Sequence, residues 1–239
     1  MKTVGMLGGM SWESTLTYYQ AINRGVQEAL GALHSAKIIL VSVDFEEIEK
    51  CQRKGDWEKT AAVLSRSAQQ AEAGGADFLV LCTNTMHKVV PEIEASISIP
   101  VLHIVDATAE QLKQDGIKQV GLLGTRFTME QAFYKERLKK FFDVEVMLPL
   151  QDQRELVHRV IYEELCLGEL KECSRKHYLE IIETLYTRGA EAVILGCTEI
   201  ALLVKQSQTS VPLYDTTTIH AASAVEWALK GINRTSGPA

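Results

Sequence analysis

The chain has no basic excess: 25 Lys and Arg stand against 31 Asp and Glu, a formal net charge of −6. Without a positive field, nothing gathers nucleic-acid phosphates or an anionic membrane surface, and neither partner is expected. No apolar run approaches the roughly 18 residues of a membrane span. The opening residues Met1–Thr15 lack the apolar stretch and small-residue cleavage site of a secretory signal. The five cysteines (Cys51, Cys82, Cys166, Cys173, Cys197) form an odd set with no CxxC, which argues against a disulfide framework and a zinc knuckle. The expected setting is therefore the cytoplasm, where a cysteine is either buried filler or a reactive thiol. His87 and His103 have no metal-ligand spacing and are read as structural; no metal and no cofactor are expected.

What is present is an alternation of short β-rich runs and amphipathic helical stretches. The runs are Thr3–Leu7, Lys37–Val43, Phe78–Cys82, Val101–Ile104, Gln119–Leu123, Val144–Met147, Ala192–Leu195 and Pro212–Tyr214. Nearly all are continuously apolar, as in strands buried on both faces of a parallel sheet. Helical patterns lie over Trp12–Leu30, Thr60–Ala73, Met129–Phe142 and Arg154–Leu167, so the class is α/β. The last residues, Thr235–Ala239, read as a disordered tail.

An internal repeat organises these elements. Lys2–Gly8 (KTVGMLG) recurs 116 residues later as Lys118–Gly124 (KQVGLLG). Gly75–Thr85 (GADFLVLCTNT) recurs after 114 residues as Gly189–Glu199 (GAEAVILGCTE), and Ile99–Val101 after 112 as Val211–Leu213. Two similar doubly wound parallel-sheet domains are expected. The first α/β half spans 1–115, with its C-terminal helix crossing over, and the second spans 116–239. Ligands of open α/β sheets sit beyond the carboxyl ends of the strands. Two halves related by a pseudo-two-fold would share one cleft, with Thr83 and Cys197 entering from opposite sides.

Three turns after strands carry the candidate chemistry. In Leu195-Gly196-Cys197-Thr198-Glu199, a thiol ends a buried strand at the start of a helical stretch. The helix N-terminus would favour the thiolate, with Thr198 as N-cap. In Leu81-Cys82-Thr83-Asn84-Thr85-Met86-His87, strand alternation turns Cys82 into the core and Thr83 away from it. Asn84 and Thr85 offer a cap and donors for an α-carboxylate or α-ammonium. Gly8-Gly9-Met10-Ser11 permits close backbone approach and a Ser11 cap, without the third glycine of a dinucleotide fingerprint. The segment Cys51–Trp57 reads as a solvated polar loop that could reach a substrate side chain.

These residues resemble the aspartate/glutamate racemases, which work without pyridoxal phosphate or metal. The resemblance runs from GGMSWEST through CTNTMH to GCTEIALL and VPLYDT, nearly the whole chain. It is closest to the branch described as broad-specificity or L-aspartate/L-glutamate amino-acid racemases. It implies a homodimer with Thr83 and Cys197 as the catalytic pair, Thr83 standing where the family carries its first cysteine. It further implies that Met10, Gln52, Asn84, Thr85, Thr198 and Glu199 line the substrate site. Glutamate racemases proper usually carry histidine at the position of Glu199.

Racemisation needs a base on one face of the α-carbon and an acid on the other. The resemblance assigns the second-half cysteine to the L-isomer, leaving Thr83 to return the proton. Arg53 or Lys54 could hold a distal carboxylate, whereas Gln52 suits a neutral side chain such as that of homoserine. Two other readings fit the same residues: a same-fold decarboxylase or isomerase of a small dicarboxylate, and an amino-acid-binding protein whose catalysis is weakened by Thr83.

Overall fold

The structure, a computed structural model, describes residues 1–231. The expected tail Thr235–Ala239 lies outside the described residues. By packing, the chain divides into two units: Met1–His103 with the chain from His220 onward, and Ile104–Ile219.

The first unit contains β1 (Val4–Gly8), α1 (Trp12–Leu30), β2 (Ile38–Ser42), α2 (Phe45–Lys54), α3 (Trp57–Ala73), β3 (Phe78–Leu81), α4 (Val90–Glu94) and β4 (Val101–Leu102). Its strands form one parallel sheet in the order β2-β1-β3-β4. The second unit starts with α5 (Ile104–Gln114) and β5 (Gln119–Gly124). After these come α6 (Arg126–Glu130), α7 (Ala132–Phe142), β6 (Glu145–Met147), α8 (Gln151–Glu163), α9 (Glu172–Thr187), β7 (Ala192–Gly196), α10 (Ile200–Leu203) and β8 (Leu213–Asp215). Its sheet is parallel too, in the matching order β6-β5-β7-β8. A last helix, α11 (Thr216–Leu229), begins in the second unit and ends in the first. All eight strands read from apolar runs are present, and β1, β3 and β7 are buried throughout. The partly exposed β2 and β6 are edge strands, which have solvent on one flank.

The expected boundary at 115/116 came with a C-terminal helix that crosses over; by packing the division lies at 103/104, and that helix, α5, groups with the second unit. Helix α5 places Ile104, Val105, Ala109 and Leu112 in the core of the second unit. Helix α11 places Ala221, Ala224, Val225 and Ala228 in a core of the first, beside Tyr18, Ile22 and Val26 of α1. Those α1 residues recur every fourth position, the stripe a buried helical face requires. Each such aliphatic side chain contributes about 1.5–3 kcal/mol on burial. A sequence repeat reports chain order, not which core an apolar face joins.

Three helices differ from expectation for local reasons. The segment read as a loop, Cys51–Trp57, instead completes α2 and starts α3. Asp44 caps α2 by accepting from Glu46 N–H at 3.1 Å, and Gly55 ends it in the left-handed region. The expected helix Met129–Phe142 is split by extended backbone at Gln131. Met129 and Tyr134, five positions apart, would face about 140° apart on a continuous helix; the break lets both be fully buried. The expected Arg154–Leu167 is α8, begun earlier where Gln153 Oε1 accepts from Leu150 N–H, followed by a short 3₁₀ turn over Leu165–Leu167.

Candidate functional site

In each sheet the central strands are those at which the strand order reverses, β1 beside β3 and β5 beside β7, so polar turns gather at their carboxyl ends. Two half-sites result, one in each unit.

The first is built on the turns after β1 and β3. Cys82 N–H donates to Leu7 O at 2.9 Å, and Ser14 Oγ donates to Cys82 O at 2.8 Å, so α1 fastens one strand end to the other. Gly9 N–H donates to Thr15 Oγ1 at 2.8 Å, and Ser11 Oγ accepts from Ser14 N–H, the expected cap. Gly9 has φ +93°, and a Cβ there would collide with Val43 O, so no other residue fits this turn. Met10 packs in an apolar cluster with Leu7, Ile48 and Met86. Thr83, Asn84 and Thr85 are buried in the turn after β3. Asn84 occupies the cap position of the following 3₁₀ turn without a side-chain cap bond, which corrects its expected role there. Gln52 is 2% exposed on α2, and its Oε1 has no hydrogen-bond partner among the described residues. Arg53 lies on the outer surface of α2, paired with Glu49 at 3.3 Å, and Lys54 is exposed.

Behind Thr83 lies a group of buried imidazoles. His87 donates from Nδ1 to Thr83 O at 2.8 Å, because a carbonyl can only accept. Its ring meets His103 edge-on at 4.6 Å and His220 at 5.8 Å between centroids. His220 donates from Nε2 to Leu102 O and accepts at Nδ1 from Tyr18 O–H, both at 2.8 Å. Full burial drives its pKa down to about 4, so it is neutral. The sequence analysis missed Tyr18 and His220. No local pattern could reveal a pair separated by 202 positions.

The second half-site is the turn after β7. Gly196 pairs in register with Gly124, and a Cβ on it would press against Leu123 O, so the two strand ends close tightly. Thr216 Oγ1 donates to Leu195 O at 2.9 Å and secures the strand from α11. Cys197 is 9% exposed and Glu199 4%. Cys197 Sγ donates to Glu199 Oε2 at 3.0 Å, and Thr198 Oγ1 donates to the same oxygen at 2.5 Å.

This arrangement corrects the expectation of a thiolate favoured by a helix terminus. Helix α10 has only four residues, and its cap position is taken by Glu199, not Thr198. Burial pushes the Cys197 thiol well above its ordinary pKa, and the negative charge of Glu199 pushes it further the same way. Cys82, by contrast, is wholly inside the core, and burial raises its thiol too. That is the packing role alternation assigned to it. Among the described residues, no three His, Cys, Asp or Glu side chains are arranged to hold a metal ion, and no helix is long and apolar enough to cross a membrane.

The sequence pattern of the Asp/Glu/Hydantoin racemase family matches residues 7–224. The chain is 24% identical to the broad specificity amino-acid racemase RacX of Bacillus subtilis, over 93% of this chain and 96% of that one. A Yersinia pestis crystal structure described as a candidate Asp/Glu racemase superposes with a TM-score of 0.90 at 55% identity, covering 96% of this chain and 100% of the other. An aspartate racemase homologue from Pyrococcus horikoshii gives a TM-score of 0.84 at 33% identity, with the same coverage of both chains. With a family pattern over most of its length and two such structural likenesses, the chain belongs to the Asp/Glu/Hydantoin racemase family and is an amino-acid racemase of the Asp/Glu type.

Proposed function

We propose that the chain interconverts the enantiomers of a small amino acid without a cofactor, the two half-sites acting on opposite faces of one α-carbon. Cys197 is the base toward the L-isomer, and Thr83 serves the other face. One observation carries the reading: the turns after β3 and β7, at corresponding places in sheets of one strand order, present a hydroxyl at Thr83 and a thiol at Cys197. Asn84 and Thr85 on one side, and Thr198 and Glu199 on the other, line the substrate, with Met10 and Gln52 completing the wall. Backbone donors at these turns stabilise the charge that develops when the α-proton leaves.

The substrate is aspartate, glutamate or a wider set including homoserine. The unsatisfied Gln52 Oε1 favours a side chain that donates a hydrogen bond there. The working form is a cytoplasmic homodimer. Because enantiomers have equal free energy in water, kcat/KM must be equal in both directions. A hydroxyl is a far weaker base than a thiolate, so the D-isomer turns over more slowly, with a KM lower in proportion.

The test is exchange of the α-hydrogen in deuterium oxide, followed separately for each enantiomer of a panel of amino acids. Exchange from at least one L-amino acid, lost in Cys197→Ala, is the expected result. Undiminished exchange in that variant would overturn the assignment.

A further inference from the structure

The racemase reading leaves open how a thiol that burial holds protonated becomes a base, and the turn after β7 contains an answer. We propose that Glu199 is the proton partner of Cys197, a positioning and relay residue that accepts the thiol proton each time the sulfur takes up the α-hydrogen of the substrate. The proposal rests on the reading of Cys197 as the L-side base.

The geometry is specific. One carboxylate oxygen, Glu199 Oε2, accepts from the Cys197 thiol at 3.0 Å and from the Thr198 hydroxyl at 2.5 Å. All three residues are buried. A buried carboxylate receiving two donors at one oxygen is held in place, and its acceptor capacity is aimed at the sulfur. Among the described residues, the charges that act on the thiol are those of Glu199 and Cys166, and Tyr178 is coupled to it in turn; none of these groups is a cation. Burial and the Glu199 charge both raise the Cys197 pKa, so at rest the sulfur holds its proton and points it at the carboxylate.

The step balances without solvent. The S–H bond breaks and an O–H bond forms on Oε2, moving the single negative charge from carboxylate to sulfur. The sulfur lone pair then takes the α-proton: the substrate C–H bond breaks, its electron pair stays on carbon, and S–H is restored. In the reverse direction the pair starts with Glu199 protonated, by the preceding L-side step or by solvent: the sulfur gives its proton to the carbanion formed from the D-isomer, and the Glu199 proton then passes to the sulfur. Nothing is oxidised or reduced.

Two readouts separate this role from a structural or substrate-binding one. The first is the ultraviolet absorbance of the Cys197 thiolate against pH, taken as the difference between the protein and Cys197→Ser. In the native protein its midpoint should lie above the ordinary thiol value of about 8.5. In Glu199→Gln, which removes the neighbouring charge, it should fall by about one pH unit. The second is turnover of the L-isomer, where the same variant should lose about 100-fold in kcat with little change in KM. A thiol that ionises more readily yet works worse is the signature of a lost proton acceptor. Glu199→Asp, which keeps the carboxylate on a shorter arm, should keep the raised midpoint and recover part of the turnover. If Glu199→Gln does not fold, the native protein and the Asp variant decide the question. A native midpoint at or below the ordinary value, an unchanged midpoint in Glu199→Gln, or an effect on KM alone would overturn the proposal. Absence of exchange with any enantiomer in the native protein would sink the racemase reading instead, while the absorbance titration would still report on the pair.

Discussion

The turns after β3 and β7 stand at the same place in two sheets of one strand order, yet they surround their reactive groups with different chemistry. After β7 the sulfur of Cys197 shares a buried carboxylate with Thr198. After β3 the hydroxyl of Thr83 has an imidazole fastened to its own carbonyl, and further imidazoles behind that one. One turn holds a carboxyl group against its thiol. The other holds an imidazole, that of His87, against its backbone. The lesson is that duplication of a fold preserves where a group is presented, while the side chains around it decide what that group can do.

The sharpest way to break the comparison is to silence one side. Cys197→Ala should lower α-hydrogen exchange from the L-isomer by about a thousandfold, measured by loss of the proton signal in deuterium oxide. An equal loss of α-hydrogen exchange from the L- and the D-isomer would show that the halves do not differ as proposed.

A second distinction is thermodynamic. His220 is neutral in the folded first unit with a pKa of about 4, against about 6.5 when unfolded. The unfolded chain therefore binds the extra proton between these values. Stability is full above about pH 6.5 and declines as pH falls toward 4, by on the order of 3 kcal/mol. Denaturant titration across that window should show the decline, and His220→Gln should flatten it. A variant with the native pH dependence would exclude His220 as its source.

Converting one half toward the other is a milder test. Thr83→Cys replaces a weak base by a thiol and should raise turnover of the D-isomer about tenfold, read by chiral chromatography. No gain would mean that position 83 does not face the α-carbon. The smallest effect belongs to Tyr18→Phe, which removes the donor to His220 Nδ1 and should cost about 1 kcal/mol in chemical unfolding without altering turnover at saturating substrate.

Much of this was legible in one dimension, and the reasons are local. Apolar runs bounded by turn residues located all eight strands, because a strand buried on both faces leaves no room for polar side chains. Alternation correctly turned Cys82 inward. Helix α2 was hidden because the charged residues of its outer face outnumber the inner positions Ile48, Cys51 and Gln52. The raised pKa of Cys197 was hidden as well, since position after a strand suggests a helix terminus but says nothing of that helix's length or of a carboxylate folding back.

By itself the sequence determined the class of fold, the repeat, and the two matching turns that carry Thr83 and Cys197, since each follows from periodicity or from residues adjacent along the chain. Only the tertiary structure decided that the end of α11 joins a core of the first unit, that Tyr18 meets His220, and that the Cys197 proton is directed at Glu199. Those outcomes depend on burial and on side-chain direction. Both are set by what packs around a residue and not by its neighbours in the chain.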